Sequence, residues 1–135
     1  MYVQGTGNVG IGKKLPSHKL EVNGTIRAKE VVVENSGWPD YVFEPDYALP
    51  TLEDIDAHIR EKGHLPGVPA AEEVDSAGQS LGQTQRLMMQ KIEELTLYAI
   101  EKDRRVNQLE SKNEMLEARL ATMEAALAKL FQEQK

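Results

Sequence analysis

Stepping alternately by four and three residues from Met88 lands on Ile92, Leu95, Ala99, Lys102, Val106, Leu109, Asn113, Leu116, Leu120, Met123, Leu127 and Leu130. All of these except Lys102 and Asn113 are apolar. A seam kept in step over that length is the mark of helices that wind around one another, whereas a helix lying on its own domain follows a 3.6-residue period and drifts off a strict heptad. A lone helix would hold the seam in water along its whole length, at roughly 1.5 Å per residue. The chain is therefore expected to be oligomeric.

The charges beside the seam indicate how the helices associate. With Ile92, Ala99, Val106, Asn113, Leu120 and Leu127 at a, and Leu95, Leu109, Leu116, Met123 and Leu130 at d, the g positions include Arg105, Lys112 and Arg119. Five residues further on, Glu110, Glu117 and Glu124 fall at e. Opposite charges repeated at g and the following e' favour parallel strands in register. Arg105-Val-Asn-Gln-Leu-Glu110 and Arg119-Leu-Ala-Thr-Met-Glu124 also resemble the Arg-h-x-x-h-Glu signature of three-stranded parallel coiled coils, h being apolar. Asn113 at an a site points the other way, since asparagine there often marks dimers. The expectation is a trimer, with a dimer as the alternative.

The rest of the chain is too small and too poor in aromatics to build much of a core. The whole chain holds two Phe, four Tyr and one Trp in 135 residues, and small units bury little apolar surface alone. Assembly is expected to supply the missing burial. A net charge of -6 argues against binding a nucleic-acid backbone, which needs a basic face. The absence of cysteine excludes disulfides and thiol chemistry. No apolar run approaches the roughly 20 residues that cross a bilayer. Met1-Tyr-Val-Gln begins in mid-pattern, so the chain is expected to be the end piece of something longer.

Three parts follow in order: a β segment over 1–35, a small α/β knob over 36–80 and a helix over 81–135. In the first, Lys19-Leu-Glu-Val22 and Thr25-Ile-Arg-Ala-Lys29 flank Asn23-Gly24, the strongest short-range hairpin signal, and Val31-Val32-Val33 reads as a strand buried on both faces. In the second, Thr51 and Asp54 form a capping box, Leu52, Ile55 and Ile59 share a face, and Gly63 stops the helix. His64-Leu-Pro-Gly-Val-Pro69 is irregular, a short helix over 71–75 follows, and Ser80 with Gln83 launches the long helix.

Several pieces imitate chemistry. Gly5-Thr-Gly-Asn-Val-Gly10 spells G-x-G-x-x-G, but no strand precedes it and no helix follows. Gly7 to Lys14 has the shape of a phosphate loop but ends in Lys14, where a Ser or Thr must hold magnesium. The glycines read better as sites of tight chain passage or turns. His18, His58 and His64 lie in separate elements without i, i+4 pairing, so no metal site is expected within one chain. Ser36 is the candidate nucleophile, yet no spacing ties it to a histidine or acid. No catalytic, cofactor-binding or metal-binding residues are assigned.

Gly7-Asn-Val-Gly-Ile-Gly12, Pro16-Ser17 and Lys19-Leu-Glu-Val-Asn-Gly24 resemble the repeated G-x-V-G-I-G…P…K-L-x-V-x-G unit of phage tail fibres and of related bacterial surface or injection-system fibres. Gly37-Trp-Pro-Asp-Tyr-Val-Phe43, Gly63-His-Leu-Pro-Gly-Val-Pro69 and Lys91-Ile-Glu-Glu-Leu-Thr-Leu-Tyr98 resemble the C-terminal regions of such fibre proteins, many from Bacteroidetes. The order of parts is also similar to the endosialidase-type intramolecular chaperone domain, which trimerises a β shaft and in many members releases itself through a serine assisted by a lysine. At the comparable junction this chain has Ser36-Gly37 followed by Trp38-Pro39-Asp40 in place of the usual basic residues, which implies a non-cleaving relative.

The resemblance implies a location on a virion or injection-system tail fibre, or on an extracellular surface fibre. The implied partners are the chain's own copies in a parallel homotrimer, an upstream shaft and a cell-surface receptor. The expected fold is α+β: a β shaft segment, a small knob and a parallel trimeric coiled coil. Ile92, Leu95, Val106, Leu109, Leu116, Leu120, Met123 and Leu127 would form the core, and Arg105, Glu110, Arg119 and Glu124 would set register. The expected function is to trimerise and register the fibre. One alternative is a receptor-binding tip using Trp38, Tyr41, Phe43 and Tyr47 on a glycan or surface protein, and another is a self-cleaving chaperone.

Lys102 at d interrupts the apolar seam, so Lys102→Leu should stabilise the assembly by an amount on the order of 1 kcal/mol per chain and raise the melting temperature, while permitting slipped or higher-order assemblies. A variant no more stable and still of one stoichiometry would place Lys102 outside the core.

Overall fold

The computed structural model describes residues 1–5, 7–34 and 36–133. Thr6 in the first glycine motif, Asn35 at the end of the β segment, and Gln134 and Lys135 at the end of the expected helix lie outside the described residues. The fold is α+β, and the chain divides into two compact units, Met1–Val33 and Glu34–Lys135.

The first unit is a three-stranded sheet of β1 (Tyr2–Val3), β2 (Val9–Ile11) and β3 (Leu20–Val22), in the order β1-β2-β3. β1 pairs antiparallel to β2, with Tyr2 opposite Gly10, and β2 pairs parallel to β3, with Val9 opposite Leu20. Gly10 is buried at the centre of β2, where a Cβ would meet the Lys13 carbonyl oxygen at 2.1 Å. Only glycine lets the chain fold back that closely. Gly12, at φ +72, then takes a left-handed conformation that L side chains rarely adopt. Pro16 is buried, and its carbonyl accepts the Asn8 side-chain amide at 3.2 Å. The glycine motif thus builds turns and a close chain passage.

The hairpin expected at Asn23-Gly24 does not form. β3 finds its partner in β2, the Asn23 amide donates to the Ile11 carbonyl at 2.9 Å, and residues 25–34 carry no strand. Asn-Gly ends the strand without reversing it: Asn23 keeps a negative φ and Gly24 sits at φ 155, so the pair does not form the tight two-residue turn, and β3 remains the last strand of the sheet. Val31, Val32 and Val33 are likewise neither paired nor buried within one chain, being 64%, 79% and 42% exposed.

The second unit is helical. After a 3-10 helix at Pro39–Phe43 come α1 (Leu52–Lys62), α2 (Ala71–Ala77) and α3 (Leu81–Glu133). Thr51 caps α1 as the sequence predicts, its hydroxyl oxygen accepting the Asp54 amide at 3.1 Å, and Gly63 closes the helix at φ 77. α2 runs two residues beyond the predicted end, to Ala77, and Glu73 reaches back to accept the Ala70 amide at 3.3 Å. α3 covers 53 residues, about 80 Å at the usual rise. Beyond Tyr98 every described position of α3 is exposed. No described helix is long and apolar enough to cross a membrane.

Replacing Gly10 by Ala should force the Lys13 carbonyl out of place and destabilise the first unit by about 1–3 kcal/mol. Amide exchange at the β2 and β3 amides should accelerate accordingly, and unchanged protection would show that this passage does not hold the sheet together.

Candidate functional site

The burial pattern of the first turns of α3 is inverted relative to its composition. Glu93 and Glu94 are buried, at 8% and 3% exposure, while their neighbours Ile92 and Leu95 stand 54% and 64% exposed. Chain packing within the unit accounts for this. Residues 36–50 run alongside α3 in the same direction and cross its outer face. The Arg86 guanidinium donates to the Ser36 carbonyl at 2.9 Å, the Tyr41 hydroxyl to Gln90 at 2.9 Å and the Tyr47 hydroxyl to Glu94 at 2.6 Å. The Tyr98 hydroxyl donates to the Pro50 carbonyl. In heptad terms Arg86, Gln90, Glu94 and Tyr98 occupy b, f, c and g. The segment therefore covers the back of the helix and leaves a and d bare.

At the centre of the junction Glu94 gathers its neighbours. One carboxylate oxygen accepts Tyr47 and, at 2.9 Å, the Gln90 amide, and the other accepts Lys91 at 2.8 Å. Burial pushes the Glu94 carboxyl up, but the hydrogen bonds from Lys91, Tyr47 and Gln90 outweigh it and hold the group below its ordinary value. The Tyr47 phenol is pushed up to about 12, by burial first and by its bond to Glu94 second. Glu93 behaves oppositely. Burial and then the Asp40 charge raise its carboxyl, and its Oε2 has no hydrogen-bond partner among the described residues. Val42 and Pro39 are the fully buried side chains beside this network.

The seam lies on the other side of the helix. Ile92, Leu95, Val106, Leu109, Leu116, Leu120, Met123 and Leu127 are between 44% and 64% exposed. Arg105, Glu110, Arg119 and Glu124 flank them in the open. The four knob aromatics divide into two pairs. Tyr41 and Tyr47 are tied to α3 through their hydroxyls, with ring centroids 5.9 Å apart, whereas Trp38 and Phe43 are each 55% exposed and their side chains make no hydrogen bond among the described residues.

Besides the Glu94 network, two clusters carry no signal in the sequence. His58 and His64 meet edge to face, 5.3 Å between centroids, because the left-handed turn at Gly63 folds the chain back, and no heptad or i, i+4 rule signals that spacing. Among the described residues, no group of three or more metal-ligating side chains forms around them. In the first unit Glu21 binds Lys13, Ser17 and His18, and these bonds hold its carboxyl well below the usual carboxylate range. Ser17, His18 and Glu21 are not arranged as a nucleophile, base and orienting acid. The same ring nitrogen, Nδ1, lies near both Ser17 and Glu21, and the Ser17 hydroxyl donates directly to the carboxylate at 2.5 Å. Ser36 uses its backbone carbonyl, and no described histidine or lysine is hydrogen-bonded to its hydroxyl. No protein-family model, curated protein or solved structure matches the chain.

The adjacent glutamates should respond to pH with opposite signs. Glu94 is depressed in the folded state, so its stabilisation is present above the unfolded carboxyl value and lost as pH falls through the folded one. Glu93 is raised, so its stabilisation is complete below the unfolded value and lost as pH rises through the folded one. Glu94→Gln should lower the unfolding midpoint at neutral pH and Glu93→Gln should raise it, both differences shrinking in acid. Thermal melts followed by tyrosine fluorescence at neutral and acidic pH would check this, and equal signs would refute the assignment.

Proposed function

We propose that this chain is the C-terminal end of a fibre, where a parallel three-stranded coiled coil brings chains together in register and so acts as an intramolecular chaperone for the β segment ahead of it. The observation that carries the reading is that the chain covers the back of α3 from Arg86 to Tyr98 with its own residues and leaves the a and d seam in water from Met88 to Leu130. Fully burying a Leu, Ile or Met side chain stabilises by about 1.5–3 kcal/mol, and copies of the same seam are the surface that fits it. Charges at Arg105 and Arg119 meeting Glu110 and Glu124 of a neighbour set parallel register.

The first unit needs such help. Val3, Ile11, Leu20 and Ile26 are 58%, 46%, 57% and 65% exposed, so a single chain offers the short strands little burial. Holding three chains in register turns pairing between separate chains into a local search. A receptor-binding tip is the second reading, favoured by the exposed Trp38 and Phe43.

Truncation after Ala99 should leave the first unit disordered or aggregated, and grafting an unrelated parallel trimeric coiled coil after Leu95 should restore it. Circular dichroism and solution mass of both variants check this. A truncated chain that still forms ordered trimers would remove chaperoning from the role of α3.

A further inference from the structure

Among the described residues α1 packs closely on no other helix or strand, and none of its own residues is buried. A helix of 11 residues is marginal by itself in water, so something beyond propensity has to hold it. The contact the structure supplies lies at its C-terminal end. There the left-handed turn at Gly63 brings His64 back against His58, with ring centroids 5.3 Å apart and ring planes at 79°.

The nitrogens of this pair are not spent on one another. Nε2 of His58 is shut off from solvent and has no hydrogen-bond partner among the described residues. In His64 it is Nδ1 that is engaged, 3.1 Å from the Leu65 carbonyl oxygen. A carbonyl oxygen only accepts, so Nδ1 carries the proton and the neutral ring presents a lone pair at Nε2. Metal-binding histidines are held in the same way, one nitrogen donating to a backbone carbonyl, which fixes tautomer and ring direction, and the other left for the ion. Imidazole nitrogens bind zinc at about 2.0–2.1 Å, and two rings on one ion at the tetrahedral angle have centroids roughly 5 Å apart. The observed separation agrees with that. Edge-to-face packing alone would also hold the rings at this distance, but it leaves the shielded nitrogen of His58 unpaired, which is costly.

We propose that His58 and His64 form a two-imidazole site for a divalent first-row transition-metal ion, zinc or a neighbour that takes nitrogen ligands. Among the described residues no third metal-ligating side chain joins them, so water completes the coordination. The ion ties the last turn of α1 to the segment that follows Gly63, and its binding free energy becomes folding free energy for a helix that lacks packing of its own. The site lies within one chain and stands whether or not copies assemble.

Zn²⁺ titrated calorimetrically into the full chain, first treated with a chelator, should bind at one ion per chain and raise the helicity. His58→Ala and His64→Ala should each weaken that binding by roughly tenfold or more, and His18→Ala should leave it unchanged. In the unmodified chain, ¹⁵N chemical shifts should move at Nε2 of both His58 and His64, a readout that holds even where an alanine variant loses α1. Absence of saturable binding, one ion per three chains, shifts confined to one ring, or binding that neither alanine variant weakens would overturn the site and leave the pair as an aromatic contact only.

Discussion

Everything in the second unit depends on which face of α3 its own chain covers. Residues 36–50 take the back of the helix, and the seam is left to water. Two buried glutamates beside exposed Ile92 and Leu95 would be a poor arrangement for a monomeric helix, because carboxylates lose hydration where apolar groups do not gain burial. It becomes reasonable once the seam is a contact surface. The back of the helix then has to be held by specific hydrogen bonds, since apolar residues are committed to the front.

That division explains why the junction is a polar network. Glu94 is satisfied by Tyr47, Gln90 and Lys91, and such fully connected groups fix one arrangement of the knob on the helix. Glu93, crowded by Asp40 and without a partner for Oε2, works against the same packing. The only buried hydrophobic residue of the described core, Val42, lies beside them. A chain with so little apolar burial has small means of staying folded alone, which is the physical ground for proposing that assembly completes it.

The legible parts of the sequence were those governed by local rules. The heptad from Met88 to Leu130, the Thr51 cap and the Gly63 stop each depend on neighbours within a turn or two, and α3, α1 and their ends follow them. The β segment was misread where pairing is not local. Asn23-Gly24 carries a strong hairpin signal, but the pair does not take the turn conformation, and β3 pairs instead with β2, in parallel, which no local pattern announces. The same limit hid the Glu94 network and the His58–His64 contact, whose members are brought together by the path of residues 36–50 and by the turn at Gly63. The distinction between Tyr41 and Tyr47, tied by hydroxyls, and Trp38 and Phe43, left exposed, also needed the fold.

The central claim is that the exposed seam is closed by copies of this chain, three at a time. Sedimentation equilibrium of the intact chain at micromolar concentration tests it most directly. Closure by three copies gives a single species near three times 15.1 kDa, with helicity that falls together with mass on dilution. A stable dimer would contradict the threefold arrangement, and a monomer retaining full helicity would contradict the seam as a contact surface altogether.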